Sequence, residues 1–588
     1  MWHNNDSPVR FRPAAVVTIV VPFFIFVYLF YPRPPSHRVS EFQLSSEQSI
    51  ASSSDLRVAC NGPRGTLLRG ANGTTDDYID QEILAPPFNE PLGGSYDALN
   101  LTRTWSTAVG RYGPYGFKQD TEENQRSVVE WPQIQWGVLQ DRCLERNRAR
   151  YPDAPNQVSR PRMKLREDGI FKIWNALRPR DSRYAKGRTA IVLRSWDTYI
   201  YQGEDYWNIR SLITETALAT GGDYSVFLLV RVEDSERRIF ESDFNYQTAM
   251  MDLVPLEFWS IAVLYDYNLL KSWYPDVLEW KHEFQAYQPL QLFAQFYPEF
   301  DYYWDIEMDV RFTGHAGAYL NSLSKFARNE PRKQSHERAR YYYMPAVHGS
   351  YSEYVSLVDL SESGKGIWGG IQIPDINPIG PTPPRSKPER DDFKWGVGEE
   401  ADLIVSNACY DVKDMDNEWT YKHWIYGFHL AEDTPRFGCP SALTRVSWNL
   451  LNAVHYAQVH HRKRLQSEAT LPSFALWHGL KASFPPQPWF QLEPCDPKDM
   501  DRYFNPTGPL ANARENNTYE GTCQMDNWPS WWWTGFTPRV IMDMWFENPT
   551  EGPLPSIFRE EDGQVYLPNM ALHPVKTNGE IFEPGDFH

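Results

Sequence analysis

Apolar residues fall along this chain in three textures. The first is one unbroken run, Ala14–Tyr31 (AAVVTIVVPFFIFVYLFY), without a single charge; at 18 residues it reaches the lower limit for a helix that crosses a bilayer. The second, from Pro32 to residue 184, carries little periodicity: Ser, Pro and polar residues dominate 32–54, and Pro-Gly-Asn turns interrupt 55–184. The third begins near Thr189, where solid apolar runs alternate with helical spacing. TAIVLRSW (Thr189–Trp196) predicts a buried strand, Ile209–Ala219 a helix closed by Gly221-Gly222, and YSVFLLVRV (Tyr224–Val232) the next strand. Strand, helix, strand is a βαβ unit and implies a parallel sheet. FWSIAVLY (Phe258–Tyr265) predicts a third strand, Gln288–Phe296 a helix, Asp301–Phe312 a further strand, and Ser441–Arg464 one long helix with a Ser cap and a basic end. The pattern predicts an α/β fold with long irregular insertions, whose ligands belong at the carboxyl ends of the strands.

The textures set the expected organisation: a tail over 1–13, a membrane anchor over 14–31, a stem over 32–54, an irregular region over 55–184 and an α/β domain over 185–588. A cleaved signal peptide is the rival reading of the apolar run. Such peptides have shorter cores and small residues at the cleavage site, whereas this run ends in Leu29, Phe30, Tyr31 and Pro32. There is no second convincing span, which excludes a transporter. Flanking charges are nearly balanced, Arg10 and Arg12 against Arg33, His37 and Arg38. The short tail, three sequons (Asn72, Asn100, Asn516) and six cysteines (60, 143, 409, 439, 495, 523) favour a single-pass type II protein of the Golgi or ER membrane, its body in the lumen. A cytosolic body with free buried cysteines is the alternative. Cys60 and Cys143 are placed to staple the irregular region.

Composition narrows the functions. With 58 Lys+Arg against 76 Asp+Glu the net charge is −18, unlike the positive surface that nucleic-acid binding requires. Aromatic residues make up 15 % of the chain, far more than disordered chains carry.

The strongest local signal is FDYYWDIEMDV (Phe300–Val310). In a strand, Asp305, Glu307 and Asp309 share one face. Three carboxylates on a half-buried face repel one another and resist desolvation. A hard divalent cation resolves that cost, and a solvated acidic edge strand is the other way to meet it.

YYWDIEMDV resembles the strand end of the fungal Golgi α-mannosyltransferase family, YYWR-[VI]-E-P-x-V. There the glutamate is a Mn²⁺ ligand that plays the part of the DxD motif of GT-A glycosyltransferases. The resemblance implies a GT-A-like mixed sheet and assigns that role to Glu307, with Met308 in place of the proline and Asp305 in place of the arginine. Trp395–Leu403 (WGVGEEADL) resembles the family's W-x-x-x-E-x-A-D-L. It implies that Glu399 lies beneath the sugar's anomeric carbon as nucleophile or ion stabiliser in a retaining transfer; Glu400 stands where the family has an apolar residue, so either glutamate is a candidate. Leu572-His573-Pro574 is similar to the His-Pro whose imidazole completes the family's metal site. The chain is also similar to fungal proteins grouped only as a domain of unknown function, which share GEEADL, HGLKA (His478–Ala482) and LHPVK (Leu572–Lys576).

The expectation is therefore a glycosyltransferase dependent on Mn²⁺ or Mg²⁺. Its donor is a nucleotide-sugar, GDP-mannose by resemblance, and its acceptor a glycan or glycoprotein. Glu307, Asp309 and His573 would hold the metal, and Arg194 and Asp305 would face the nucleotide. Trp528 and Trp531-Trp532-Trp533 are candidates for a sugar platform, or for core. His455, His460, His461 and His478 are assigned no role. Two other readings are a glycoside hydrolase using Glu307 and Glu399, and a non-catalytic luminal protein that binds a glycan or a partner.

Overall fold

The computed structural model describes residues 57–68, 83–84, 90–124, 126–156, 160, 162–167, 187–277, 282–385, 387–406, 409–412, 421–440, 442–492, 495–505, 508–509, 529–532, 535–547 and 554–576. The chain divides into two units, residues 1–53 and 54–588. The expected tail, anchor and stem lie outside the described residues, as do Asn72 and Asn516. Among the described residues no helix is long and apolar enough to cross a membrane. Asn100 is exposed.

The second unit is built on a seven-stranded mixed sheet. Its strands are β1 (Thr189–Trp196), β2 (Tyr224–Val232), β3 (Ala262–Asp266), β4 (Tyr302–Glu307), β5 (Leu403–Val405), β6 (Leu443–Ser447) and β7 (Ala482–Ser483). They lie in the order β7-β5-β6-β4-β1-β2-β3. β4, β1, β2 and β3 are mutually parallel, β7 is parallel to β5, and β6 alone runs against both its neighbours.

Alternation sorts the side chains into two cores. Ile191 and Leu193 of β1 pack with Trp136, Ile209, Leu212 and Leu320 on one face. Ala190 and Val192 pack with Leu290, Phe293, Leu450 and Phe474 on the other. Helices therefore cover both faces: α1 (Trp136–Arg146), α2 (Gly203–Leu212) and α4 (Ala316–Asn329) on the first, and α3 (Gln288–Phe296), α5 (Trp448–His461) and α6 (Ser467–His478) on the second. Burial on both faces is why β1 and β2 read as solid apolar runs.

Three expected boundaries move. Leu256–Ile261 is a 3₁₀ turn after Pro255, tied by Trp259 Nε1 to the Val254 carbonyl at 2.7 Å, so the third strand begins only at Ala262. The expected helix over 441–464 divides into β6 and α5, and its cap is Ser447, whose Oγ accepts from Leu450 N at 3.1 Å. The helix over 209–219 begins earlier, as α2, and continues as a wider π turn over Ile213–Leu218.

The irregular region is not separate from the sheet. Cys60, Leu68, Trp131 and Trp136 belong to the same core as β1 and β2. Strand Thr104–Thr107 pairs with Gln564–Pro568 near the C-terminus. The Cys60–Cys143 bridge is present, a second joins Cys409 to Cys439, and Cys495 is also disulfide-bonded. Cys523 lies outside the described residues.

Candidate metal centre

Arg194 near the end of β1 stands directly across from Glu307, the last residue of β4, in parallel register. Asp305 is two residues earlier on the same face. The guanidinium bridges both acids, with Nε 3.0 Å from Asp305 Oδ1 and Nη2 2.7 Å from Glu307 Oε1. Asp305 is wholly buried, and burial pushes its carboxyl up to about 6 against the pull of Arg194. It therefore holds Arg194 from beneath and is not open to a nucleotide, contrary to its expected role.

The expected alternation over 305–309 stops at Glu307, where β4 ends. The chain turns there, with Val310 N donating to the Glu307 carbonyl at 3.2 Å. Arg311–Phe312 then pairs antiparallel with Ala571–Leu572. This two-residue ladder brings the C-terminal segment to the sheet, and Val575 N closes it on the Asp309 carbonyl at 2.9 Å. His573 is delivered in this way to residues more than 260 positions earlier.

One ligand atom each from Glu307, Asp309 and His573 lies within 4.8 Å of the others. His573 Nε2 is 3.1 Å from Glu307 Oε2 and 3.4 Å from Asp309 Oδ1. Its Nδ1 is 2.5 Å from the Trp532 carbonyl. A carbonyl only accepts, so Nδ1 carries a proton and Nε2 faces the two acids. A histidine held at one nitrogen by a carbonyl, with the other turned toward carboxylates, is an arrangement that also serves a metal ligand. Lys576 Nζ sits 2.5 Å from Asp309 Oδ2; LHPVK contains this lysine, but nothing in its spacing marked it as a partner of Asp309.

The cluster is strongly polarised. Burial raises Glu307, but Arg194 and His573 outweigh it and leave the carboxyl lowered to about 2. Burial likewise opposes Asp309, and His573 and Lys576 hold it well below the carboxylate range. Burial lowers His573, but Asp309 and Glu307 raise it to about 9. Three carboxylates thus face two permanent cations, Arg194 and Lys576. With a neutral imidazole the set carries one net negative charge, which suits a divalent cation. Two carboxylates and an imidazole fit Mn²⁺ or Mg²⁺ and leave coordination positions for substrate oxygens and water.

Glu399 and Glu400 are not brought to this cluster. They precede β5, which runs the same way as β4, and so lie at the opposite, amino-end edge of the sheet. Glu400 Oε2 is 2.7 Å from Arg445, whose guanidinium lies over the ring of Tyr302 at the start of β4. Tyr302 and Glu307 are about 17 Å apart at the rise of a β-strand. Glu399 pairs with Arg332 at 2.8 Å and is 46 % exposed. The likeness to a nucleophile segment therefore does not carry Glu399 to a position under a sugar held at Glu307.

Trp531 and Trp532 are nearly buried, with the Trp531 ring centroid 5.4 Å from that of His573. Trp528 and Trp533 lie outside the described residues. His455 is core, its Nδ1 2.8 Å from the Tyr274 hydroxyl. His478 is also buried. His460 and His461 close α5.

The chain belongs to the family described as a protein of unknown function (DUF3405), whose profile matches residues 107–577. A search of curated proteins and a search of solved structures each found no match.

Proposed function

We propose that this family member is a metal-dependent glycosyltransferase of the secretory pathway on a GT-A-like sheet, with a nucleotide-sugar donor, GDP-mannose favoured, and a glycan or glycoprotein acceptor. The observation that carries the reading is the Glu307–Asp309–His573 cluster at the carboxyl end of a central strand, beside Arg194. A divalent cation at that place supplies Lewis-acid neutralisation of the charge that develops on a leaving diphosphate. Glu307, Asp309 and His573 would hold it. Arg194 fixes the Glu307 carboxylate, and the Trp532 carbonyl fixes the imidazole with Nε2 inward. Lys576, 44 % exposed, stands ready to pair with a phosphate oxygen. With His573 neutral, a bound divalent cation would take the net charge of the set from −1 to +1, which favours a diphosphate. Retention of configuration now lacks a nucleophile at Glu399 and is not part of the proposal.

One observation favours the non-catalytic reading. Arg194, Lys576 and a protonated His573 already neutralise the three acids without a metal. The hydrolase reading, by contrast, needs carboxylates roughly 5–9.5 Å apart, and the opposite edges occupied by Glu307 and Glu399 do not supply that pair.

The test is release of nucleotide from a panel of GDP- and UDP-sugars by the full chain in detergent, with Mn²⁺ and with chelator. Release from one donor, lost with chelator, supports the reading. No release, together with no rise in melting temperature on adding nucleotide and Mn²⁺, rejects it in favour of a binding protein.

A further inference from the structure

Beside the metal centre, and outside the same carboxyl edge of the sheet, lies an open cleft. Ser406 follows β5 directly, and the segment after β7 (Phe484–Gln487) forms another wall. Tyr341, Tyr342, Trp489, Trp531 and Trp532 supply its aromatic surface. The Tyr342 and Trp532 rings lie 5.7 Å apart at 31°.

Three features restrict what fits. The aromatic faces suit a ligand with an apolar side. Trp531 Nε1 and Ser406 Oγ are buried and have no hydrogen-bond partner among the described residues; Trp531 is 4 % exposed and Ser406 1 %. Buried polar groups in that state cost free energy unless a ligand or water pairs them. The charge at the wall is spent: Arg338 bonds Glu330 at 2.8 and 3.1 Å and the Lys333 carbonyl at 2.7 Å. A cleft with aromatic faces, a buried indole donor and a buried serine hydroxyl that lack partners, and no uncommitted charge among its described walls recognises a neutral polyhydroxylated ring.

We propose that the Tyr341–Trp532 cleft is a saccharide-binding subsite that presents the acceptor sugar to the metal centre. The inference rests on the glycosyl-transfer reading above and names its acceptor subsite. An apolar face of the pyranose stacks on the aromatic wall, and ring hydroxyls pair with Trp531 Nε1 and Ser406 Oγ. Contact between the Trp531 and His573 rings puts the sugar's free hydroxyl next to the donor. In transfer, the acceptor oxygen forms the bond to the anomeric carbon. The bond from that carbon to the diphosphate oxygen breaks, its electron pair stays with the nucleoside diphosphate, and the acceptor proton passes to that diphosphate.

The test needs neither donor nor turnover. The full chain, with chelator present, is titrated with methyl α- and β-glycosides of mannose, glucose and galactose and with their disaccharides, read by tryptophan fluorescence and calorimetry. One sugar class should bind with a Kd in the millimolar range or tighter. W531F and S406A should each weaken it at least five-fold, and S406A should leave Mn²⁺ affinity, read by electron paramagnetic resonance, unchanged. Absence of saccharide binding up to about 20 mM, a level that captures Kd values in the millimolar range, overturns the proposal. So does binding that neither variant weakens, or binding only of an apolar dye. Metal-dependent release without saccharide binding rejects the subsite alone. Saccharide binding without any release keeps the cleft as a sugar site and rejects transfer.

Discussion

The two edges of the central sheet differ in kind. At the carboxyl edge, Glu307, Asp309 and His573 crowd together, with Arg194 and Lys576 packed against them. Side chains there hold one another under electrostatic load, three carboxylates against Arg194, Lys576 and His573. At the amino edge, GEEADL and HGLKA meet with Lys481 and Asp402 committed to local bonds and Glu399 and Glu400 paired with arginines. Lys481 Nζ donates to the carbonyls of Arg328, Gly396 and Glu399 at 3.0, 2.6 and 2.7 Å. Asp402 accepts from Lys481 N at 3.0 Å and from Ser447 Oγ at 2.8 Å. Both edges carry distinctive sequence, but among the described residues only the carboxyl edge gathers two carboxylates and an imidazole within 4.8 Å of one another. A distinctive segment can therefore be a brace as readily as a site.

The comparison breaks first at Glu307. Glu307→Ala should lower metal-dependent turnover about 10³-fold or more, since losing the Lewis acid forfeits several kcal/mol of transition-state stabilisation. Initial rates of nucleotide release across a Mn²⁺ series check it, and unchanged turnover would remove the metal assignment. Arg194→Met should cost about 3–5 kcal/mol of stability, because buried Asp305 is left without its partner. The midpoint of urea unfolding measures this loss. A variant as stable as the parent would mean that Asp305 is neutral in the folded protein.

The third expected effect is in pH. Without metal, His573 is raised to about 9 from an unfolded value near 6.5. The stability it contributes is complete below about pH 6.5 and lost as pH rises through 9, roughly 3 kcal/mol at most. Melting of the chelator-treated protein should therefore weaken over that window. With Mn²⁺ the trend should reverse, because the cation binds the deprotonated imidazole and displaces its proton. Parallel curves with and without Mn²⁺ would count against His573 as a ligand.

How much of this was legible in the sequence follows from what each feature depends on. β1 and β2 are apolar on both faces, so their bounds could be read directly. β6 was hidden because Leu443–Ser447 carries Thr, Arg and Ser, Arg445 pairing with Glu400 and Ser447 with Asp402, and its text runs straight into α5. The alternation of Glu307 and Asp309 marked the acidic strand end, although the turn after Glu307, not the strand, brings Asp309 round. His573 was reachable only through its motif, for no local pattern pairs residues so far apart. The Trp532 carbonyl leaves no trace in sequence, since any residue there has one. The cleft is made by loops and strand ends that meet only in the fold. Glu399 is the instructive miss: spacing along W-x-x-x-E-x-A-D-L fixes a local shape and says nothing about which edge of the sheet it occupies.

Two smaller effects sharpen the contrast at the amino edge. Lys481→Met should cost about 2–3 kcal/mol, because a buried ammonium that serves three carbonyls is lost. Burial, with Arg332 nearby, lowers this lysine to about 8, so part of its bonding is already offset by desolvation. Unfolding midpoints should fall while Mn²⁺ affinity stays the same, as a brace requires.

The smallest expected effect decides most between the two edges. Glu399→Gln removes a charge that is 46 % exposed and paired to Arg332, and exposed pairs contribute only about 0–1 kcal/mol. Its backbone carbonyl, the group Lys481 uses, is untouched by the substitution. Stability should thus move by less than about 1 kcal/mol and turnover by less than two-fold, as measured by unfolding and nucleotide release on the same preparation. A nucleophile would behave otherwise, since its loss removes the group that meets the anomeric carbon. A fall in turnover of a hundred-fold or more with unchanged stability would return Glu399 to the reaction. It would also require the amino edge to reach a sugar bound about 17 Å away along the strand, which a sheet packed on both faces does not allow without a rearrangement of β5.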